Sequence, residues 1–352
     1  MKKAKITFRT VTPMILGGAN QKTAELRAPS IRGALRFWFR ILGGSFVEEK
    51  KIFGGIGKND EGRASSLMVR VQTPASEIKK LECKQMENVS TAGRFDYFLW
   101  PLRNPQDARG IITEDQKIEI SISHRRVRDS HNLDEKVIKA FLLLGSLGTR
   151  SRRAYGSIYP TDDVTIDGEK WNIPVTEEEL KIELAEILKG VNCKILKLKS
   201  ADTAKEAIQT CANALKRFRC GKDGHGMKAS EWGKSDHDIP FKNHDTIYRA
   251  AIGLPLAQNY SRDKINNFQV FKDQSDRWAS PVIFKILLLE NMYVPIVLFM
   301  KDYFMPDCNV KKAKNSRELK KGICSPLSLS HDLLNEMMDE KTKFWNGAEK
   351  LI

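Results

Sequence analysis

Six segments between Lys5 and Tyr159 follow one another in an order that few folds accommodate. Lys5 to Val11 alternates apolar and polar residues with the period of two that a half-buried strand requires. Ser30 can cap a helix that runs to about Leu42, where Gly43 and Gly44 stop it. Leu67 to Gln72 reads as a second strand and Gln116 to Ser123 as a third. Asn132 can cap a helix from Leu133 to Leu144, and Ser157 to Tyr159 begins a fourth strand. Strand-helix-strand-strand-helix-strand is the split βαβ, or ferredoxin-like, plan (βαββαβ), an α+β architecture.

The 352 residues are enough for two domains that each bury a core, and an apolar share of 41% suits a globular chain. The expected division is 1–160 and 161–352. In the second part, Thr176 to Leu188 and Thr203 to Phe218 look helical, and Thr246 to Gly253, Val282 to Leu289 and Val294 to Phe299 look strand-like. The end, from about Leu327 to Asn346, reads as helix. Lys216 to His244 is polar, Gly-rich and aperiodic, the pattern of a long loop. A second α+β domain with extra helices fits these segments.

Charge divides the chain in the same way. Residues 1–160 hold 29 basic and 16 acidic side chains, whereas residues 161–352 hold 30 and 28. A general basic bias would raise both parts alike. An excess confined to one part implies a surface for a polyanion, of which nucleic acid is the commonest. The start lacks the apolar core and cleavage site of a signal peptide, and the longest apolar run, Val282 to Met300, is broken by Lys285, Glu290, Asn291 and Pro295. The cysteines (Cys83, Cys193, Cys211, Cys220, Cys308 and Cys324) form no C-x-x-C pair. These features point to a cytoplasmic chain with free thiols and no membrane partner.

Two segments carry the expected chemistry. In Leu26 to Arg40, Ile31, Leu35, Trp38 and Leu42 form one helical face, and Arg32, Arg36 and Arg40 step by four along another. Like charges at that spacing repel by a few tenths of a kcal/mol per pair. Arg27 and Arg32 also lie at the positive end of the helix dipole, a conflict that a bound anion would remove. The expectation is a nucleic-acid backbone site built by Arg27, Ser30, Arg32, Gly33, Arg36 and Arg40. The competing reading is a solvated basic face paired with carboxylates. In the second segment, Gly145 to Ser157, Gly145, Gly148 and Gly156 would let backbone approach a ligand. There Arg150, Arg152 and Arg153 would neutralise phosphates, and Tyr155 would stack on a base. No G-x-x-x-x-G-K-[ST] occurs, so Gly54 to Asn59 reads as a turn rather than a nucleotide loop.

Ile6 to Pro13, Leu26 to Arg40 and Gly145 to Gly156 together resemble the RAMP superfamily of CRISPR proteins, and most closely the family of first subunits of type III-B Cmr effector complexes. Arg277 to Val282 resembles a second-domain element of that family. The resemblance implies two ferredoxin-like (RRM-like) domains, the second modified. It also implies contact with guide RNA, target RNA or both near the guide 3′ end, beside other Cmr and RAMP subunits, without cleavage of target and without a cofactor.

Two other chemistries were weighed. His124 beside Arg125 and Arg126 could serve a metal-independent ribonuclease that processes CRISPR transcripts, though a histidine contacting RNA or filling space fits as well. Cys211, Cys220, His225, His237 and His244 have spacings that miss the usual zinc patterns. A scaffold role for the near-neutral second part is compatible with RNA binding by the first.

Overall fold

The computed structural model describes residues 1–56, 62–82, 97–102, 106–125, 132–161, 163–219, 230–238, 245–254, 256–258, 268–272, 278–306, 308–314, 316–322 and 324–352. It is a mixed α+β fold with several antiparallel sheets.

The alternation in β1 (Lys3–Thr10) buries Ala4, Ile6 and Phe8 and turns Lys3 and Lys5 to solvent. Helix α1 (Ala28–Ile41) begins ahead of the expected cap. Arg27 occupies the N-cap position and caps with no side-chain bond, so Ser30 lies within the first turn instead. Pro29 accounts for the early start, since its fixed φ suits the first helical turn and its missing N–H costs nothing there. Helix α2 (Phe46–Phe53) has no counterpart in the sequence reading, although Ser45 and Glu48 form a reciprocal capping box. Strands β2 (Leu67–Val71) and β3 (Lys117–His124) follow. Helix α3 (Glu135–Leu144) is capped by Asp134 rather than Asn132. Strands β4 (Ile158–Pro160), β5 (Thr165–Ile166) and β6 (Glu169–Lys170) complete the first sheet.

In that sheet β1 is central. It runs antiparallel to β3, from Lys3↔Ser123 to Arg9↔Lys117, and β2 pairs the far edge of β3. Strands β4 and β5 share the other edge of β1, and β6 extends β5. The order of the sequence-expected strands is therefore β4–β1–β3–β2. Ile31, Leu35 and Trp38 of α1 and Val137, Ile138 and Phe141 of α3 are buried beneath it. Residues 165–170, assigned from sequence to the second part, belong to this first sheet. Helix α4 (Glu177–Ile187) is tied to α3 by Lys139 and Glu183 at 3.2 Å.

A second antiparallel sheet follows, with its own flanking helices. Its elements are β7 (Cys193–Lys197), α5 (Ala204–Arg219), α6 (Glu231–Asp238), β8 (Val282–Leu289), β9 (Met292–Met300), α7 (Asp332–Met338) and β10 (Glu349–Lys350). The strands lie in the order β8–β9–β7–β10. Glu290 and Asn291, with φ of 49° and 63°, make the two-residue hairpin turn between β8 and β9.

Three expectations fail in this part. Of Thr246 to Gly253 only Thr246–Ile247 is strand, and Arg249–Ile252 turns as a 3-10 helix. Of Leu327 to Asn346, the first residues complete the strand Ser325–Leu329, which buries Leu327 and Leu329 alternately against Asn309–Ala313. Lys216 to His244 is not simply loop, since α5 reaches Arg219 and α6 covers 231–238. Buried Asp236 accepts the backbone N–H groups of Tyr248 and Arg249 at 3.0 and 2.7 Å and pairs with the Arg249 guanidinium. Such long-range polar anchoring leaves no periodicity to read. Among the described residues no helix is long and apolar enough to cross a membrane.

Among the described residues one large hydrophobic core runs through both parts, beside a small separate cluster at Phe271 and Ala313, and the loop after α3 closes the large core over β8. Ala154 N donates to Phe284 O at 3.0 Å, Phe284 N to Arg152 O at 3.2 Å and Ile286 N to Ser157 Oγ at 3.1 Å. Lys285 is fully buried, and its ammonium donates to Gly145 O and, at 2.7 Å, to Ile158 O. Burial holds its pKa well below the usual lysine range. Lys285→Met keeps the aliphatic bulk but strands both carbonyl oxygens, at about 1–3 kcal/mol each. The urea midpoint of Lys285→Met should therefore fall by an amount equivalent to about 2–6 kcal/mol; an unchanged midpoint would show that the Lys285 amine does not hold the loop.

Candidate nucleic-acid interface

The helix and the loop singled out from sequence do meet. Ser30, Ala34, Phe37 and Trp38 of α1 face Gly145, Ser146, Gly148, Ser151 and Arg152 across a cavity of about 280 Å³, with Ile283 of β8 at its side. The first turn of α1 contains no carboxylate. By helical spacing, exposed Arg27 lies over the same flank as Ser30 and Ala34. Ser146 Oγ is buried with no hydrogen-bond partner. Arg152 is the only ionisable residue lining this cavity among the described residues.

The arginine stripe does not face this cavity. At about 100° per residue, Arg32 and Arg36 lie on nearly the opposite flank of α1 from Ser30 and Ala34, and Arg40 lies about a quarter to a third of a turn from them. There α2 meets them. Arg40 grips Glu49 through Nε and Nη2 at 2.5 and 2.6 Å. Arg36 donates to Phe53 O and Gly54 O at 3.0 and 2.8 Å, and its Nε lies 3.4 Å from Glu49. The hydrogen bond from Arg40 holds the buried Glu49 carboxyl below its ordinary pKa and raises that of Arg40. Arg36 and Arg40, expected to bind phosphate, are thus already engaged by one buried carboxylate and two carbonyls, while Arg40 keeps about half of its side chain exposed, at 52%. Arg27 and Arg32 make no ion pair among the described residues, and Arg32 Nε is buried without a hydrogen-bond partner.

The loop is also built differently from the expectation. Tyr155 is fully buried, so its ring cannot stack on a base. An apolar body in a closing loop is core material first. Arg153 donates to Val282 O and Arg152 O, each at 2.9 Å, and to Ser280 Oγ at 3.2 Å. Burial and the neighbouring charges of Arg219 and Arg150 push its pKa down to about 9, so it stays charged at neutral pH. Arg152 donates to Ser280 O and lies over the Phe37 ring at 5.0 Å. Arg150 has φ of 68°. The loop glycines answer to the protein's own backbone rather than to a ligand. A Cβ on Gly145 would lie 2.3 Å from Phe141 O, and on Gly156, at φ 69°, 1.8 Å from Leu147 O. Gly148 is similarly crowded by Ile15 O, at 2.5 Å. Gly33 is the exception, since a Cβ there would meet nothing within 4 Å.

Sequence reasoning missed Lys285, Arg219 and Arg249. Arg249 is buried at the seam, its Nη1 donating to Arg219 O at 3.0 Å. No motif marks these residues, which only long-range folding assembles. His124, weighed as a catalyst, accepts Leu133 N at Nε2 (3.1 Å) with Nδ1 3.5 Å from Ser66 Oγ, and burial lowers its pKa. Both ring nitrogens thus meet groups of the protein itself, at the end of β3. Among the described residues no cluster of three or more His, Cys, Asp or Glu side chains could hold a metal. Cys83, Cys220, His225, His244 and Arg277 lie outside the described residues, as does the side chain of His237, and Cys211 is buried in α5.

Residues 7–159 match the family model of the RAMP superfamily. The chain is 30% identical over 310 residues to the CRISPR system Cmr subunit Cmr1-1 of Pyrococcus furiosus, an alignment covering 82% of this chain and 84% of that protein. It is 24% identical over 185 residues to Cmr1-2 of the same organism, covering 45% of this chain and 95% of the relative. The apo crystal structure of Cmr1 from Pyrococcus furiosus superposes with a TM-score of 0.55 at 17% identity, over 93% of this chain and 98% of that one, which is a likeness of fold.

The Arg40–Glu49 pair has a definite pH signature. Because folding lowers the Glu49 pKa, the pair contributes fully above the unfolded carboxylate value of about 4.3 and is lost as pH falls through the folded value. Glu49→Gln should lower stability at pH 7 and flatten the acid side of the curve of unfolding free energy against pH. A parallel downward shift at every pH would assign the loss to packing instead.

Proposed function

Because the chain belongs to the Cmr1 family of CRISPR Cmr subunits within the RAMP superfamily, we propose that it is a non-catalytic RNA-binding subunit of a cytoplasmic type III-B Cmr complex. It holds guide or target RNA near the guide 3′ end, beside other RAMP subunits, and acts in antiviral defence. The two strand orders, β4–β1–β3–β2 and β8–β9–β7–β10, support two ferredoxin-like domains. The sheet membership of residues 165–170 and the packing of α4 on α3 favour a boundary near residue 190 over one at 160.

The cavity between the first turn of α1 and the glycine–arginine loop carries the functional reading. It offers a carboxylate-free helix start, the cation of Arg27 at its edge and the unsatisfied Ser146 hydroxyl. A phosphate of a single strand satisfies all three. Arg32 adds a second cation to the first turn on the other flank of the helix, and Gly33, next to Ser30 and Phe37 by helical spacing, leaves room for the strand. Arg150, Arg152 and Arg153 supply positive potential from within the loop rather than flexible contacts. The absence of His, Asp, Glu, Lys and Cys from the cavity lining, and the engagement of both His124 nitrogens, favour binding over cleavage.

Three outcomes test this reading. Arg27→Glu with Arg32→Glu should weaken single-stranded RNA binding at least tenfold at low salt while the unfolding midpoint stays within about 0.5 kcal/mol of the parent. Gly33→Ala should raise stability by up to about 1 kcal/mol, because alanine is the better helix former, and yet weaken RNA binding. Undiminished affinity in both variants would remove this flank from the RNA path. In EDTA the protein should leave repeat RNA intact; specific cleavage that His124→Gln abolishes would establish the ribonuclease instead.

A further inference from the structure

The first sheet has a second face, turned away from α1 and α3, on which Lys3, Lys5, Arg70 and Lys170 are exposed. Along β1 the residues on this face are Lys3 and Lys5, both exposed, and Thr7, whose side chain is buried. Register carries the pattern sideways. Arg70 of β2 pairs with Ser121 of β3, Ser121 with Lys5, and Lys5 with Thr165 of β5. One row across four strands thus reads cation, hydroxyl, cation, hydroxyl over roughly 14 Å. In the next row Ser123 lies between Met68 and Lys3. Lys170 of β6 closes one side of the resulting trough, whose volume is about 930 Å³.

Its electrostatics are unbalanced. None of Lys3, Lys5, Arg70 and Lys170 makes a salt bridge among the described residues. Of the two carboxylates in the lining, Asp163 is already held by Lys117 at 2.8 Å, leaving Glu119 against four cations. Four cations on one exposed sheet face repel one another, and a bound polyanion would relieve that repulsion.

We propose that this trough is a second binding surface, for the sugar–phosphate backbone of a single-stranded nucleic acid. Lysine, arginine, serine and threonine are the side chains that contact phosphate and sugar without reading bases. Among the described residues no aromatic side chain lines the trough, so bases have no ring to stack on, and of its apolar lining residues Ile6 and Ile120 are buried while Met68 is partly exposed. A protein partner would need the aromatic or aliphatic anchors that dominate protein interfaces, and this face lacks them. The surface lies across the sheet from the α1–loop cavity and does not depend on the reading of that cavity. It would guide a strand passing over the sheet independently of sequence.

The test uses full-length protein and fluorescein-labelled oligouridine across a salt series. Lys5→Gln with Arg70→Gln removes two exposed cations outside the core. The double variant should bind several-fold more weakly at low salt, and its slope of log Kd against log salt should be shallower by about 1.4, two contacts at about 0.7 each for single strands. Arg27→Glu, assayed in parallel, reports the α1–loop site separately, and combining the variants should add their effects. An unchanged slope and affinity in Lys5→Gln/Arg70→Gln, with Arg27→Glu still impaired, would overturn the trough alone. Displacement of oligouridine by polyglutamate at equal charge, lost in the same double variant, would overturn it in favour of an acidic polypeptide.

Discussion

The ammonium of Lys285 holds the two parts of the molecule together at one buried point. It lies on β8 yet donates to carbonyls at the two ends of the glycine–arginine loop, Gly145 O and Ile158 O. The loop between them is stitched to β8 by backbone bonds at Phe284 and by Ser157 Oγ. A fully buried amine is tolerated only where its N–H groups meet acceptors. That requirement ties the loop to one position, and with it Tyr155, Arg152 and Arg153. It also explains the loop glycines, since chain packed this closely against Phe141, Leu147 and Ile15 leaves no space for a Cβ.

A rigid loop changes the physics of binding. A mobile arginine loop would have to be ordered when RNA binds, with a cost in side-chain and backbone entropy. Here Arg153 is fixed by Val282 and Ser280, and Arg152 by Ser280 and Phe37, before any ligand arrives. Their charges shape the potential at the seam, while flexible contacts fall to exposed groups such as Arg27. Repulsion within the helical stripe is relieved in a related way: Glu49, carried into the core by α2, takes both Arg36 and Arg40. The stripe thereby fastens α2 to α1, and the cations left for a partner are those at the helix start and on the open face of the first sheet.

The same logic separates what could be read in advance from what could not. Strands β1, β2, β3, β8 and β9 and helices α1, α3, α4 and α5 follow from local periodicity, because each buries a face whose repeat is written in consecutive residues. Helix α2 and the strand Ser325–Leu329 escaped because each is too short to establish a clear period. Lys216 to His244 escaped because a buried carboxylate, Asp236, anchors part of it rather than an apolar stripe.

At the candidate site, the sequence alone determined that arginines, glycines and hydroxyls concentrate in Leu26 to Arg40 and Gly145 to Ser157, and that the positive charge belongs to the amino-terminal part. Only the tertiary structure decided which of these groups are available. Pairing with Glu49, burial of Tyr155 and the capture of Arg153 by Val282 and Ser280 depend on residues that come together only after folding. Composition counts charges, but desolvation and hydrogen bonding at each position determine whether a charge faces solvent or another part of the chain.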